Sequence, residues 1–264
     1  MPASNRLRLH WQASGHGPPL LFLHGLFGSA SNWRRHARDL AERYRVLLPD
    51  LRNHGRSPHA SSMDYRAIAG DVIGLLDAEG LDRVALVGHS MGGKVAMALA
   101  LTRSERVAAL VVADIAPIAY GPHLHDYVAA MCRLNLATID SRAEADQALA
   151  SAVADTMVRQ FLLTNLERHP QGYRWRIPLD ILAHQMPLIE GFPELAASFS
   201  GPTLFVHGGH SDYVTEQHHG IMRELFPEAE IASIAEAGHW LHVEAAQRFT
   251  ELLAGFLARA YPVV

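Results

Sequence analysis

The stretch from Val84 to Leu101 constrains the fold more than any other part of the chain. It opens with an apolar, β-rich run, Val84 to Val87, and closes with small and apolar helix formers, Val95 to Leu101. Between them lies Gly88-His89-Ser90-Met91-Gly92, a G-x-S-x-G pattern. A strand that turns directly into a helix leaves almost no room at the turn, and a Cβ at Gly88 or Gly92 would strike the neighbouring backbone. Ser90 is then expected at the apex, strained, with its hydroxyl exposed. Met91 is expected to offer a free backbone N–H at the helix start. The pattern alone turns up by chance in about one chain in ten of this composition. Its weight comes from the strand before it, the helix after it and the partners found elsewhere.

Those partners lie in a repeated β–α alternation. Leu20 to Leu23 is a continuous apolar run, as in a strand covered on both faces, and it ends in the glycine-rich His24-Gly25-Leu26-Phe27-Gly28-Ser29. Such a segment leaves backbone N–H groups free to point at a ligand. Ser31 or Asn32 is expected to cap a helix running to about Tyr44. Further strands are expected at Leu7–Trp11, Arg45–Pro49, Val107–Val112, Thr203–His207 and Glu230–Ile234. Helices are expected at Tyr65–Glu79, Met91–Thr102, Glu216–Leu225 and Ala245–Ala260. The loop from Asp50 to Ser57 reads as mainly structural, because its turn formers carry paired charges. From Ile118 to about Ser200 helical segments follow one another at Asp126–Leu136, Arg142–Leu163 and about Asp180–Gln185, broken by Pro178, Pro187 and Pro193. The expected organisation is therefore a core from 1–117 and 201–264, with a helical cap inserted at 118–200.

Alternating strands and helices imply an α/β fold with a mostly parallel sheet covered on both faces. Ligands bind such sheets outside the carboxyl ends of the strands. Ser90, Asp114, Asp212 and His239 each follow an expected strand, as does the Gly25 loop, so all converge on one sheet edge. A serine hydroxyl needs a base to take its proton, and histidine has a suitable pKa. A carboxylate must orient that imidazole, and backbone N–H donors must hold the developing oxyanion. The order Ser90, then Asp114 or Asp212, then His239 matches this requirement.

Composition narrows the alternatives. The 264 residues are 49% hydrophobic with a net charge of −4, so a large core is available and no basic stripe supports nucleic-acid binding. The single cysteine excludes an internal disulfide framework. The 17 histidines include a cluster at His207, His210, His218 and His219, but these lack a helical His-Glu pattern or a cysteine partner, so no metal is expected. No apolar signal core opens the chain and no run is long enough to span a membrane, which suggests a cytoplasmic protein. The sequence carries no signal for an oligomeric state.

With these residues placed, the chain resembles the α/β-hydrolase family. The resemblance rests on His24-Gly25, Gly88-His89-Ser90-Met91-Gly92-Gly93 and Gly238-His239. More narrowly it is similar to the small YbfF-type bacterial esterases and their mitochondrial relatives. The shared features are His24 to Ser29, Asp50 to Pro58, Gly88 to Lys94, Asp114 to Pro117 and Gly238 to His242. The resemblance implies an α/β-hydrolase fold with the cap inserted after the sixth strand. It also implies hydrolysis of small-molecule carboxylic esters, and acyl thioesters with them, using no metal or organic cofactor. In this reading Ser90 is the nucleophile and His239 the base. Leu26 and Met91 supply the oxyanion N–H groups, with Phe27 as the alternative to Leu26. His24 and His89 support neighbouring loops. Asp212 sits where most of the superfamily carries the acid. In YbfF-like relatives an aspartate at the Asp114 position recurs, which favours Asp114. Phe27, Trp240 and Leu241 flank the site as substrate contacts. Tyr127, Met131, Leu134, Met157, Phe161 and Leu162 are the cap's candidates for an acyl pocket. Arg133, Arg159 and Arg168 read as solvated surface. Other serine-dependent chemistry on the same fold, such as carbon–carbon bond hydrolysis or perhydrolysis, is the competing reading. A non-catalytic binding module is disfavoured by the intact set of Ser, His and acid.

Overall fold

A computed structural model describes residues 6–263; the expectation about the leading residues 1–5 lies outside them. The central sheet has seven strands, β1 (Trp11–Ser14), β2 (Pro19–Leu23), β3 (Arg45–Pro49), β4 (Val84–His89), β5 (Val107–Ala113), β8 (Thr203–Gly208) and β9 (Ala229–Ile234). Their spatial order is β1-β3-β2-β4-β5-β8-β9. Only β1 runs antiparallel, pairing Trp11 with Pro49. The sheet is otherwise parallel, with Leu21 opposite Leu86 and Ala113 opposite Val206.

Between and after the strands run α1 (Arg34–Leu40), α2 (Tyr65–Ala78), α3 (Met91–Thr102), α8 (His219–Leu225), α9 (Leu241–Glu244) and α10 (Ala246–Ala260). Successive residues of a strand point to opposite faces, and each face has its own apolar cluster. Val84 and Leu86 of β4 pack on the α2–α3 side. Ala85 and Val87 pack with Trp33, Ala37, Phe249 and Leu253 on the α1–α10 side. From β2 the chain moves outward to β3, and from β4 it moves the other way to β5. The carboxyl ends of β2 and β4 therefore flank the point where strand order reverses, which is where such sheets open a crevice.

Residues 118–200 contribute no strand to this sheet. They follow the fifth described strand, not the sixth. They form α4 (His123–Arg133), α5 (Arg142–Leu149), α6 (Thr156–Leu163), β6 (Leu166–His169), β7 (Gly172–Trp175) and α7 (Leu179–Glu190). Buried residues of these elements, among them Val128, Met131, Leu162 and Leu182, join the apolar cluster of the α2–α3 face.

Several boundaries differ from expectation. The first strand begins at Trp11, because the ladder to β3 starts only there. The expected cap of α1 shifts to Ser29, which starts a 3₁₀ turn at Ala30–Trp33 before the helix proper. The expected helix at 142–163 is two helices: Ser141 caps the first by accepting Glu144 N–H, and Asp155 caps the second by accepting Met157 N–H and Val158 N–H. Pro187 lies inside α7 and does not end it. The β6–β7 hairpin was not anticipated, since its strands are polar. Its signal was Pro170-Gln171-Gly172, where Gly172 takes φ 119 to close the turn.

Candidate active site

Ser90 occupies the turn between β4 and α3 with φ 53 and ψ −120, a strained region for a side-chain-bearing residue. Its N–H donates to Ala113 O at 3.0 Å, which holds the turn against β5. A Cβ on Gly92 would lie 2.6 Å from His24 O, and one on Gly88 would lie 2.7 Å from Gly93 Cα. Neither approach is open to any residue but glycine. Met91 is the first residue of α3, so its N–H has no acceptor within the helix.

The loop after β2 faces this turn. Gly28 N–H donates to Gly25 O at 3.0 Å and closes a tight turn. Within it, Phe27 N–H donates to His54 Nε2 at 3.2 Å. Leu26 N–H donates to no group among the described residues. Of the two expected second donors, the fold therefore leaves Leu26 free and occupies Phe27.

His239 and Asp114 meet across the ends of β5, β8 and β9. Asp114 is fully buried. Its backbone is at φ 51, and its N–H donates to Val206 O at 2.8 Å. Its Oδ1 accepts from Gly208 N–H at 3.0 Å. Its Oδ2 accepts from His239 Nδ1 at 2.7 Å and also from the Ser211 hydroxyl. With Nδ1–H committed to a carboxylate, Nε2 of His239 is left as a proton acceptor. Asp212 lies on the same loop as Ser211 but is exposed, and its carboxylate takes no hydrogen bond among the described residues.

Ser90 and His239 line one cavity of about 230 Å³. No hydrogen bond joins their side chains in this arrangement; such contacts commonly tighten only when substrate binds. Gly25, Leu26, Phe27 and Trp240 complete the sheet side of the cavity, and Leu124, Tyr127, Val158, Phe161 and Leu162 close it from α4 and α6. Phe27 and Trp240 are thus where the sequence places them, with the Trp240 ring 5.7 Å from that of Phe161. Leu241 is not. It is fully buried in the α1–α10 cluster on the other side of the sheet, since the first turn of α9 points it inward. Of the expected acyl-pocket residues, Tyr127, Phe161 and Leu162 line the cavity. Met131 is buried in packing and Met157 projects to solvent.

Sequence reasoning missed several supporting groups. Glu244 accepts Gly238 N–H at 2.6 Å and Trp240 N–H at 3.1 Å, so one carboxylate holds both flanks of His239. The Tyr213 ring stacks on the His239 imidazole at 4.1 Å and 21°. Lys94, in the turn of α3 that follows Ser90, donates to Glu190 O and Gly191 O at 2.8 and 2.6 Å, tying α3 to the end of α7. Burial lowers its pKa to about 7.

The loop-supporting histidines are buried and held neutral. His24 takes Leu51 N–H on Nε2 at 2.9 Å, and burial lowers its pKa. His89 donates from Nε2 to His239 O at 2.8 Å, and burial with two neighbouring imidazoles pushes its pKa well down. Burial and the adjacent His24 lower His54 to about 3. Burial and two neighbouring imidazoles do the same for His242. Among the described residues no group of three or more His, Cys, Asp or Glu side chains is arranged to hold a metal ion. No helix among them is long and apolar enough to cross a membrane.

A family model described as the alpha/beta hydrolase fold matches residues 18–246. The chain is 44% identical over 249 residues to sn-1-specific diacylglycerol lipase ABHD11 of Mus musculus, spanning 91% of this chain and 81% of that protein. It is 38% identical over 227 residues to Esterase YbfF of Escherichia coli, spanning 86% and 87% respectively. Among solved structures, a marine microorganism esterase superposes with a TM-score of 0.92 at 36% identity, covering 95% of this chain and all of that one.

Proposed function

This chain belongs to the alpha/beta hydrolase family as a hydrolase of the esterase and lipase type, and on that premise we propose that it cleaves carboxylic esters through an acyl-enzyme formed on Ser90. The observation that carries this reading is the 2.7 Å contact between His239 Nδ1 and the buried Asp114 carboxylate, beside the cavity that Ser90 also lines. In the proposed mechanism Ser90 Oγ attacks the ester carbonyl carbon as His239 Nε2 takes its proton. Asp114 holds the imidazole and stabilises its cation. The N–H groups of Leu26 and Met91 receive the oxyanion. His239 then returns the proton to the departing alcohol. Water, activated by the same imidazole, attacks the acyl-enzyme, and the carboxylic acid leaves with Ser90 regenerated. Acyl thioesters fit the same steps, with a thiol departing in place of the alcohol.

Asp114 is favoured over Asp212 as the acid on geometry alone. Three donors converge on Asp114, while Asp212 faces solvent. The apolar wall of α4 and α6 suits an acyl chain, with the ester's other portion toward the opening.

The test is hydrolysis of a p-nitrophenyl ester series together with fluorophosphonate labelling. The intact protein is expected to hydrolyse and label, and Ser90→Ala to do neither. Asp114→Asn is expected to lower kcat by about 10⁴, with Asp212→Asn within about twofold of the parent. Loss of kcat on Asp212→Asn alone would reverse the assignment of the acid.

A further inference from the structure

Phe27 stands at φ 63, in the left-handed region. It is the third residue of the Gly25–Gly28 turn, a position whose positive φ ordinarily selects glycine. A bulky residue there is strained and persists only where its surroundings over-determine it. Two buried side chains do so. His54, from the loop after β3, accepts Phe27 N–H on Nε2 at 3.2 Å. Asn165, between α6 and β6, donates from Nδ2 to Phe27 O at 2.8 Å. His54 and Asn165 are 1% and 3% exposed, and neither has a part in the proton transfers above.

Both holds have defined polarity. His54 Nδ1 is 2.9 Å from Arg52 O, which can only accept, so Nδ1 carries the hydrogen and Nε2 is the lone-pair side. Burial keeps that ring neutral through the neutral pH range. The Asn165 amide nitrogen also reaches Leu162 O at 3.3 Å, so two carbonyls fix which end of the amide is the donor. Phe27 is therefore gripped on its N–H from the sheet side and on its C=O from the segment above the cavity. His54 thus holds the Leu26–Phe27 peptide and Asn165 the Phe27–Gly28 peptide, and loss of either grip is expected to let Phe27 leave its left-handed conformation and to free the orientation of the nearby Leu26 N–H.

We propose that His54 and Asn165 are positioning residues for the oxyanion donor Leu26, and that Asn165 makes this donor depend on the seating of residues 118–200 over the site. The inference rests on the reading of Leu26 N–H as an oxyanion donor.

The experiment measures kcat and KM for p-nitrophenyl butyrate, and Ki for a trifluoromethyl ketone of matching chain, which forms a hemiketal oxyanion on the nucleophile. Asn165→Ala is expected to lower kcat by about 10- to 100-fold, part of what deleting an oxyanion donor costs, with KM within about twofold. The ketone Ki should weaken by the factor that kcat/KM loses. His54→Leu should behave alike, while His54→Gln, which keeps an acceptor, should retain most of the activity. If His54→Leu does not fold, Asn165→Ala and His54→Gln decide between them. Undiminished kcat in folded Asn165→Ala would overturn the proposal, as would a kcat loss without weaker ketone binding or a change in KM alone. Activity retained by Ser90→Ala would overturn the functional reading and this inference with it. An inactive Ser90→Ala beside a fully active Asn165→Ala would overturn this inference only.

Discussion

Acidification from pH 7.0 to 5.5 should cost this protein a measurable part of its stability, and the cost follows from its buried histidines. His54 and His242 titrate near 3 in the fold because burial disfavours their cations, against an ordinary value of 6.5. In the unfolded chain both take up protons as pH falls through 6.5; in the folded chain they do not. The unfolded state thus binds more protons between about pH 6.5 and pH 3, and stability falls with pH across that window. Each histidine contributes about 1.4 kcal/mol of this penalty at pH 5.5 and about 0.2 at pH 7.0, so the two together remove about 2.5 kcal/mol. His24, His36 and His89 act in the same direction. A loss of that size is a large fraction of an ordinary folding free energy of about 5–15 kcal/mol.

The assay is urea unfolding followed by tryptophan fluorescence at the two pH values. Trp33 is a built-in reporter, with its ring 4.7 Å from that of His242. Asp77 and Glu167, whose pKa values their arginine partners lower from ordinary values of 3.8 and 4.5, exchange protons chiefly below pH 5.5 and leave the comparison of pH 7.0 with pH 5.5 to the histidines. His242→Phe removes one titrating group from a site where Nδ1 has no partner, and should flatten the pH dependence by about 1.2 kcal/mol. Equal stability at pH 7.0 and 5.5, or an unchanged slope in His242→Phe, would refute the reasoning.

Three further outcomes are expected. Gly92→Ala should yield little folded protein or a large fall in Tm, because its Cβ would press on the Leu23 and His24 carbonyls. Arg52 and Asp71 form a buried bidentate pair at 2.6 and 2.8 Å. Asp71→Asn should therefore cost about 3–5 kcal/mol in urea unfolding by leaving the guanidinium uncompensated. Phe161→Ala, which opens the cavity wall opposite Trp240, should raise KM for an octanoyl ester about tenfold while leaving kcat for an acetyl ester unchanged.

What could be read from residues alone was whatever is written locally or periodically. The two glycines around Ser90, the apolar runs of β2, β4 and β5, and the placement of Ser90, Asp114 and His239 after strands all follow from chain geometry that neighbouring residues dictate. The turn chemistry of Asp50 to Ser57 was legible in the same way. The choice between Asp114 and Asp212 was not, because both are aspartates just past strands that lie side by side in the sheet. Which carboxylate turns inward depends on Gly208 N–H and the Ser211 hydroxyl converging on Asp114 across 94 and 97 residues of chain. Leu241 and Trp240 are neighbours in sequence, yet the turn into α9 sends one into the core and the other to the cavity. Leu26 and Phe27 carry equivalent N–H groups, and only His54, 27 residues away, takes one of them out of use. Strand, helix and glycine turn are set by short-range sterics and hydrophobic period, so they appear in the sequence. The carboxylate that meets His239, the unpaired Leu26 N–H and the cavity wall are set by contacts between distant segments, and those exist only once the sheet has brought its strand ends together.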